Sequence, residues 1–314
     1  MDTPAHREFL SCDWGTTSFR LRWIVDGEIL REHSDQTGCK ALFGSSGENR
    51  ADSFATHLRS AISKLDLPNS RTLPLAISGM ASSTIGWREL PYAQLPLGLD
   101  GTQLRFEPLL WNSPPQITQT FLVSGAATEN DMMRGEETEA IGLMAALETE
   151  ITDAVLILPG THSKHLTIAN SQITTIRTFM TGELYQALTE HTVLRASITK
   201  RSPLDQKAFM KGIDCAATHG LAGALFQTRT RNVLQREPPE ANASFLSGIL
   251  IGDELRAINA TTPPKVLIAG ADIIRESYSV AAHHLRIPAH IFSSEEVRLA
   301  VPRAHAQILS HFAK

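Results

Sequence analysis

The apolar positions of this chain follow two rhythms, one of period two and one of helical spacing. Residues 9–13 form a short apolar run that ends on Asp13. Phe19, Leu21 and Trp23 then alternate with Arg20 and Arg22, the period of a half-buried strand. Asp26-Gly27 predicts a two-residue hairpin turn, with a returning strand over 28–31. Residues 51–65 repeat apolar side chains at helical spacing. LPLAISGM (73–80) and FLVSGAAT (121–128) read as strands, the first ending in glycine, and MRGEETEAIGLMAALETE (133–150) as a helix.

The second half repeats the opening. AVLILPGTHSKHLTIANSQITTIRT (154–178) reads as strand, glycine-threonine turn, strand, Asn170-Ser171 turn, strand. The recurrence predicts an α/β protein of two related halves facing a cleft, residues 1–150 and 151–314. Further on, FLSGILIGDELRAIN (245–259) reads as a helix with small residues along one side, and KVLIAGADI (265–273) as strand, glycine turn and helix start. After a short strand, AHIF, either Ser293 or Ser294 caps a last helix, which Pro302 is expected to kink.

Composition narrows the class. The chain has 314 residues, 42% hydrophobic and 20% charged, which suits a globular protein of two domains. A net charge of −4, with no long basic run, gives no reason to expect nucleic acid. No apolar run approaches the roughly 18–20 residues needed to span a bilayer. MDTPAHREF lacks the features of a signal peptide, and Cys12, Cys39 and Cys215 form an odd set without metal-ligand spacing. A cytoplasmic protein with reduced thiols and no membrane partner is the expectation.

The turns carry candidate chemistry. In Asp13-Trp14-Gly15-Thr16-Thr17, the glycine lets a ligand approach the backbone, successive N–H groups can cradle an anion, and Thr16 and Thr17 add hydroxyls. Asp13 would repel an anion unless Mg²⁺ lay between them, since Mg²⁺ takes one or two carboxylates and keeps most of its waters. An ordinary hairpin-entry turn would explain a single such motif. A second one, Pro159-Gly160-Thr161-His162-Ser163-Lys164, favours two turns clamping a polyphosphate. Lys164 there suits either a γ-phosphate contact or a turn cap. Gly270, between Ala269 and Ala271 before a helix, suits packing against adenine and ribose.

Taken together, DWGTTSFR (13–20), the SGM-to-PY segment (78–92), MRGEET (133–138), PGTHSKH (159–165), TGEL (181–184) and FLSGILIGDE (245–254) resemble the 2-dehydro-3-deoxygalactonokinase family. That family is part of the sugar kinase, actin and heat-shock chaperone superfamily. The resemblance implies two ribonuclease-H-like (actin-like ATPase) domains with an ATP and substrate cleft between them, the last helix crossing back towards the first. It implies ATP and Mg²⁺, and transfer of phosphate to the 6-hydroxyl of 2-dehydro-3-deoxy-D-galactonate in galactonate and galactose catabolism. It also leaves room for a homodimer.

Phosphoryl transfer to an alcohol needs a carboxylate near the acceptor hydroxyl. The resemblance places that group among Asp131, Glu136, Glu137 and Glu139. Glu137 shares a helical face with Ile141 and Met144, and Glu136 one with Ala140, Leu143 and Leu147, so both are expected to turn inward, with Asp131 a third candidate. Acidic residues also favour a first helical turn for its dipole alone, by about 0.3–1 kcal/mol. Arg134 is the first choice to pair with the substrate carboxylate, ahead of Arg88 and Lys40. Ser82, Ser83, Trp87, Tyr92 and Glu183 complete the expected sugar-acid pocket. Two alternatives within the superfamily are a kinase for a related 2-dehydro-3-deoxy sugar acid and an exopolyphosphatase-like phosphohydrolase. A non-catalytic nucleotide sensor is a third, and it would have no need of the acidic cluster.

Overall fold

A computed structural model describes residues 7–45, 50–147, 151–199, 202–258 and 265–311. The chain divides into two compact units. The first comprises Met1–Thr152, Ile168–Ile176 and Glu295–Lys314, and the second Asp153–Thr167 and Arg177–Ser294.

In the first unit, β1 (Glu8–Trp14), β2 (Phe19–Val25) and β3 (Glu28–Asp35) form an antiparallel meander. Asp26 and Gly27 both have positive φ, 49° and 85°, which matches the right-handed strand twist and explains the Asp-Gly pair. Helices α1 (Cys39–Ser45) and α2 (Arg50–Lys64) lead to β4 (Leu73–Gly79), which lies parallel to β1. Short strands β5 (Ala93–Gln94), β6 (Leu97–Gly98) and β7 (Phe106–Pro108) precede β8 (Ile117–Val123), which is parallel to β4. The main sheet order is β3-β2-β1-β4-β8-β7. The expected strand over 121–128 is therefore two elements, β8 and β9 (Ala126–Ala127), the latter pairing with β10 (Met132–Met133) and β5. Trp14, Phe19, Phe54 and Trp87 pack against one another between the sheet and α2, and full burial of such rings contributes about 1.5–3 kcal/mol each.

Helix α3 (Glu136–Met144) is shorter than the 133–150 expected. Its apolar run continues, but Ala146 and Leu147 donate to carbonyls three residues back, tightening the last turn rather than extending the helix. Residues 148–150 of that expectation lie outside the described residues.

The second unit starts with β11 (Ala154–Leu158), β12 (Ser163–Ala169) and β13 (Gln172–Phe179), with Ile168–Ile176 of that hairpin counted in the first unit. Asn170 and Ser171 supply the turn, with φ of 52° and 57°. Helices α4 (Thr181–His191), α5 (Gln206–Leu225), α6 (Gln227–Val233) and α7 (Pro239–Leu255) follow. Then come β14 (Lys265–Ile268), α8 (Asp272–His284), β15 (Ala289–Ile291) and α9 (Ser294–Ser310). Helix α7 starts six residues before the expected 245, with Pro239 in its first turn where a missing N–H costs nothing. Its small residues have a physical purpose: a Cβ on Gly248 would lie 2.0 Å from the Phe209 carbonyl oxygen of α5. Helix α9 runs on through Pro302.

The strand order β15-β14-β11-β12-β13 matches β8-β4-β1-β2-β3 position for position, and β14 is parallel to β11 as β4 is to β1. The internal duplication read from the glycine-threonine turns is thus present in the topology.

Candidate active site

The first cluster forms where β1 and β4 end side by side, with Asp13 opposite Ser78 and Trp14 opposite Gly79. Ligands in α/β sheets gather at such carboxyl ends. Gly79 has a φ of 86°, and a Cβ there would come within 2.8 Å of the Trp14 carbonyl oxygen. Gly135, with a φ of 113°, brings the start of α3 against Gly79, its Cβ position 3.4 Å from the Gly79 Cα. Two glycines thus let three backbones meet and carry the acidic first turn of α3 to the ends of β1 and β4.

Glu137 is fully buried. The Gly135 amide donates to both of its carboxylate oxygens, at 2.9 and 2.8 Å, and the Thr138 hydroxyl donates at 3.1 Å. Burial, with the charge of Glu136 behind it, pushes its pKa up to about 7 against those hydrogen bonds. Glu136 accepts from the Arg134 amide at 2.9 Å. Glu139 is pushed up to about 8, by burial first and by the charge of Asp13 second, with Arg20 opposing. Asp13 accepts from Arg20, its cross-strand partner, at 3.2 Å. In the turn that follows, Gly15 donates to the Ser18 carbonyl, while the Gly15 and Thr16 carbonyls accept from the Cys39 and Lys40 amides of α1. Asp131 sits in a local turn with Thr128, accepting from the Met132 amide at 2.8 Å.

Arg134, Ser82 and Tyr92 come together. The Arg134 guanidinium lies 4.1 Å from the centre of the Tyr92 ring and donates to the Ser82 carbonyl, to the Ser82 hydroxyl at 2.8 Å and to the Leu90 carbonyl at 3.3 Å. Its buried Nε has no hydrogen-bond partner among the described residues. Ser83 donates to the Met80 carbonyl, and Trp87 is a core residue, 6% exposed, stacked near Trp14, Phe54 and Trp111. Arg88, an alternative to Arg134, pairs with Glu107 at 3.2 Å.

The second cluster surrounds the turn after β11. A Cβ on Gly160 would meet the His162 carbonyl oxygen only at 4.0 Å, and Gly270 lies against Pro159, its Cβ position 3.5 Å from the ring. Helix α4 closes on the turn: a Cβ on Gly182 would lie 2.6 Å from the Gly160 carbonyl oxygen, and the Glu183 amide donates to Thr161 at 3.0 Å. The Glu183 carboxylate meets His162 Nε2 at 2.5 Å. Ser163 and Lys164 stand on β12 and are buried, Ser163 donating to Glu254 at 2.7 Å and Lys164 to the Thr178 hydroxyl at 2.8 Å. Sequence reasoning did not find Glu254, or Arg20 and Glu139 as partners of Asp13. Only the spacing of Asp13 and Arg20 across one tight turn could have hinted at the last group.

The strand order, present twice, defines the ribonuclease-H-like fold of actin-like ATPases and sugar kinases. Within that class, the chain belongs to the 2-keto-3-deoxy-galactonokinase family, whose model matches residues 13–301. It is 28% identical over 256 residues to the 2-dehydro-3-deoxygalactonokinase of Escherichia coli (strain K12), covering 80% of each chain. A crystal structure of a candidate 2-dehydro-3-deoxygalactonokinase from Sinorhizobium meliloti superposes with a TM-score of 0.82 at 26% identity, covering 96% of this chain and 99% of that one. The family expected from the motifs is therefore borne out, as is its class, carbohydrate kinases that use ATP. Among the described residues no helix is long and apolar enough to cross a membrane.

Proposed function

We propose that this protein transfers the γ-phosphoryl group of ATP to the 6-hydroxyl of 2-dehydro-3-deoxy-D-galactonate. The observation that carries the reading is the family match over residues 13–301, which spans both glycine turns and the acidic start of α3. Glu137 is the proton acceptor for the substrate hydroxyl. A pKa near 7 suits that task, because a base works best when its pKa lies near the working pH. Glu136 holds the Arg134 amide beside it. Asp131, which folds back on its own turn, helps shape that entry.

Arg134 takes the substrate carboxylate through its Nε–H, which has no hydrogen-bond partner among the described residues, while Ser82 and Tyr92 hold the guanidinium plane. At the first turn Gly15 lets phosphate approach the backbone and the N–H groups of Thr16 and Thr17 are its donors; at the second turn those of Gly160 and Thr161 play the same part, and Gly270 leaves room for the nucleoside. Ser163 and Lys164 stiffen the second turn from beneath, and Glu183 fixes His162 above it.

Asp13 fits a magnesium ion: it is an oxygen ligand at a strand end, and its charge raises Glu139, so a divalent cation there would relieve a local excess of negative charge. When bound, the ion would neutralise charge developing on the phosphates. We place the enzyme in the cytoplasm, in galactonate breakdown. ADP release measured with ATP and 2-dehydro-3-deoxy-D-galactonate tests the reading. Release that depends on the sugar acid supports it, and equal release without it points to a phosphohydrolase instead.

A further inference from the structure

Glu254, near the end of α7, is 2% exposed, and its carboxylate accepts four hydrogen bonds. On Oε1 it takes the Ser163 hydroxyl at 2.7 Å and His165 Nε2 at 2.9 Å. On Oε2 it takes the Tyr278 hydroxyl at 2.7 Å and the Thr181 hydroxyl. An ionised carboxylate offers about four acceptor sites, so this one is saturated. It has no capacity left for a substrate proton or a cation, and any effect it has on the reaction passes through its partners.

Those partners surround the second glycine turn. Ser163 is the residue where the turn becomes β12, and Thr181 is the first residue of α4. The next two residues of α4 touch the turn directly, Gly182 by backbone contact with Gly160 and Glu183 by its bond to the Thr161 carbonyl. Glu254 therefore joins the strand that leaves the turn to the helix that covers it. His165 follows two residues after Ser163 on the same strand face, and the acceptor-only carboxylate assigns its ring proton to Nε2. Tyr278, from α8, completes the shell at 2.7 Å and reaches the Ser163 hydroxyl only at a longer 3.4 Å.

We propose that Glu254 is the positioning residue of the nucleotide phosphate turn, fixing the Gly160–His162 backbone by tying Ser163 and Thr181 to one buried charge. The inference rests on the kinase reading for what the turn holds. Glu254→Gln keeps the shape but sets an amide N–H₂ against two hydrogen-bond donors, and a buried group left with mismatched partners shifts its neighbours. Tyr278→Phe removes one donor to Glu254 and the long 3.4 Å contact with Ser163, and leaves the Ser163 and Thr181 bonds to Glu254 in place.

The test is steady-state kinetics for both substrates, calorimetric titration with ADP, and thermal melting on the wild type and the two variants. Glu254→Gln should raise KM for ATP and weaken ADP binding at least tenfold, with KM for the sugar acid within twofold. Tyr278→Phe should melt earlier while its KM for ATP stays within twofold. The inference is overturned if Glu254→Gln binds ADP as the wild type does. It is equally overturned if Tyr278→Phe weakens ADP binding as much, since the hub would then act through general packing. Should Glu254→Gln fail to fold, Thr181→Val carries the same test, with at least a threefold loss of ADP affinity expected and no loss overturning the proposal. Wild-type protein that binds ADP but phosphorylates no sugar acid would remove the kinase reading and leave the Glu254 comparison decisive. Wild-type protein that binds no ADP removes both.

Discussion

Replacing Glu137 by glutamine should make the protein more stable at alkaline pH while stopping its chemistry. The carboxyl titrates near 4.5 when exposed and at about 7 in the folded protein, and a tenfold change in proton affinity is worth about 1.4 kcal/mol. Holding the charged form in its buried site therefore costs about 3 kcal/mol above pH 8. The sign follows from proton counting. Between pH 4.5 and about 7 the folded state binds more protons than the unfolded one, so this group's contribution is greatest below pH 4.5 and is lost as pH rises through 7. Glutamine carries no such cost, although it gives up one of the two oxygens that accept from Gly135, worth about 1–2 kcal/mol. The net gain is about 1–2 kcal/mol at pH 9 and none at pH 5. Loss of the Glu137 charge also eases Glu139, for which it is one of the causes of the raised pKa. All four tryptophans, Trp14, Trp23, Trp87 and Trp111, lie in the first unit, so urea unfolding followed by their fluorescence reports on the unit that holds Glu137. In kinetics, the wild-type rate should fall as pH drops below about 7, and the variant should lose kcat by about 10²–10⁴-fold. Parallel stability curves for the two proteins from pH 5 to 9, or a variant with wild-type kcat, would refute the reasoning.

Asp13→Asn should retain the fold and lose most kinase activity, with the deficit partly recovered at high Mg²⁺; near-normal turnover at limiting Mg²⁺ would show that Asp13 holds no ion. Arg134→Lys keeps the cation but not the Nε edge, so KM for the sugar acid should rise about ten- to a hundredfold and KM for ATP should not, and calorimetry with each ligand checks this. His305 is buried on α9, shares a hydrogen bond with Ser11 at 2.8 Å, and burial pushes its pKa down to about 3. The stability it contributes as a neutral ring is present above pH 6.5 and lost as pH falls from there towards 3, so His305→Asn should flatten the acid side of the unfolding curve, and an unchanged slope between pH 6 and 4 would contradict that.

Local chemistry made much of the fold legible. Asp26-Gly27 and Asn170-Ser171 stood out because few residues tolerate positive φ, and each fixed a hairpin. The alternation of Phe19, Leu21 and Trp23 placed β2. Helix α5 was missed because its buried face, Ala208, Gly212 and Ala216 beside Phe209 and Ile213, is built largely from small residues that give a weak periodic signal. The site was legible in its turns and not in its pairings. Helical spacing turned both Glu136 and Glu137 inward and put Glu137 only slightly ahead; in the fold Glu137 is fully buried and Glu136 half-buried. Glu139 gave no such signal, since its tie to Asp13 depends on two glycines folding α3 against β1. Glu254 sits in an apolar helix 91 residues from Ser163, and nothing in either segment announces the other.

The division of the chain has a consequence for how the protein is made. Residues Glu295–Lys314 belong to the first unit, where the Ala300 backbone packs on Gly142 so closely that a Cβ on Gly142 would lie 1.7 Å from its carbonyl oxygen, and His305 meets Ser11. A ribosome delivers the N-terminal sheet early and α9 only after the second unit, which lies between them in sequence. The unit whose synthesis begins first is thus not complete until the second has been made. Until α9 arrives, Ser11 on β1 and Gly142 on α3 lack the helix that packs on them, and a surface left uncovered during synthesis is open to wrong partners.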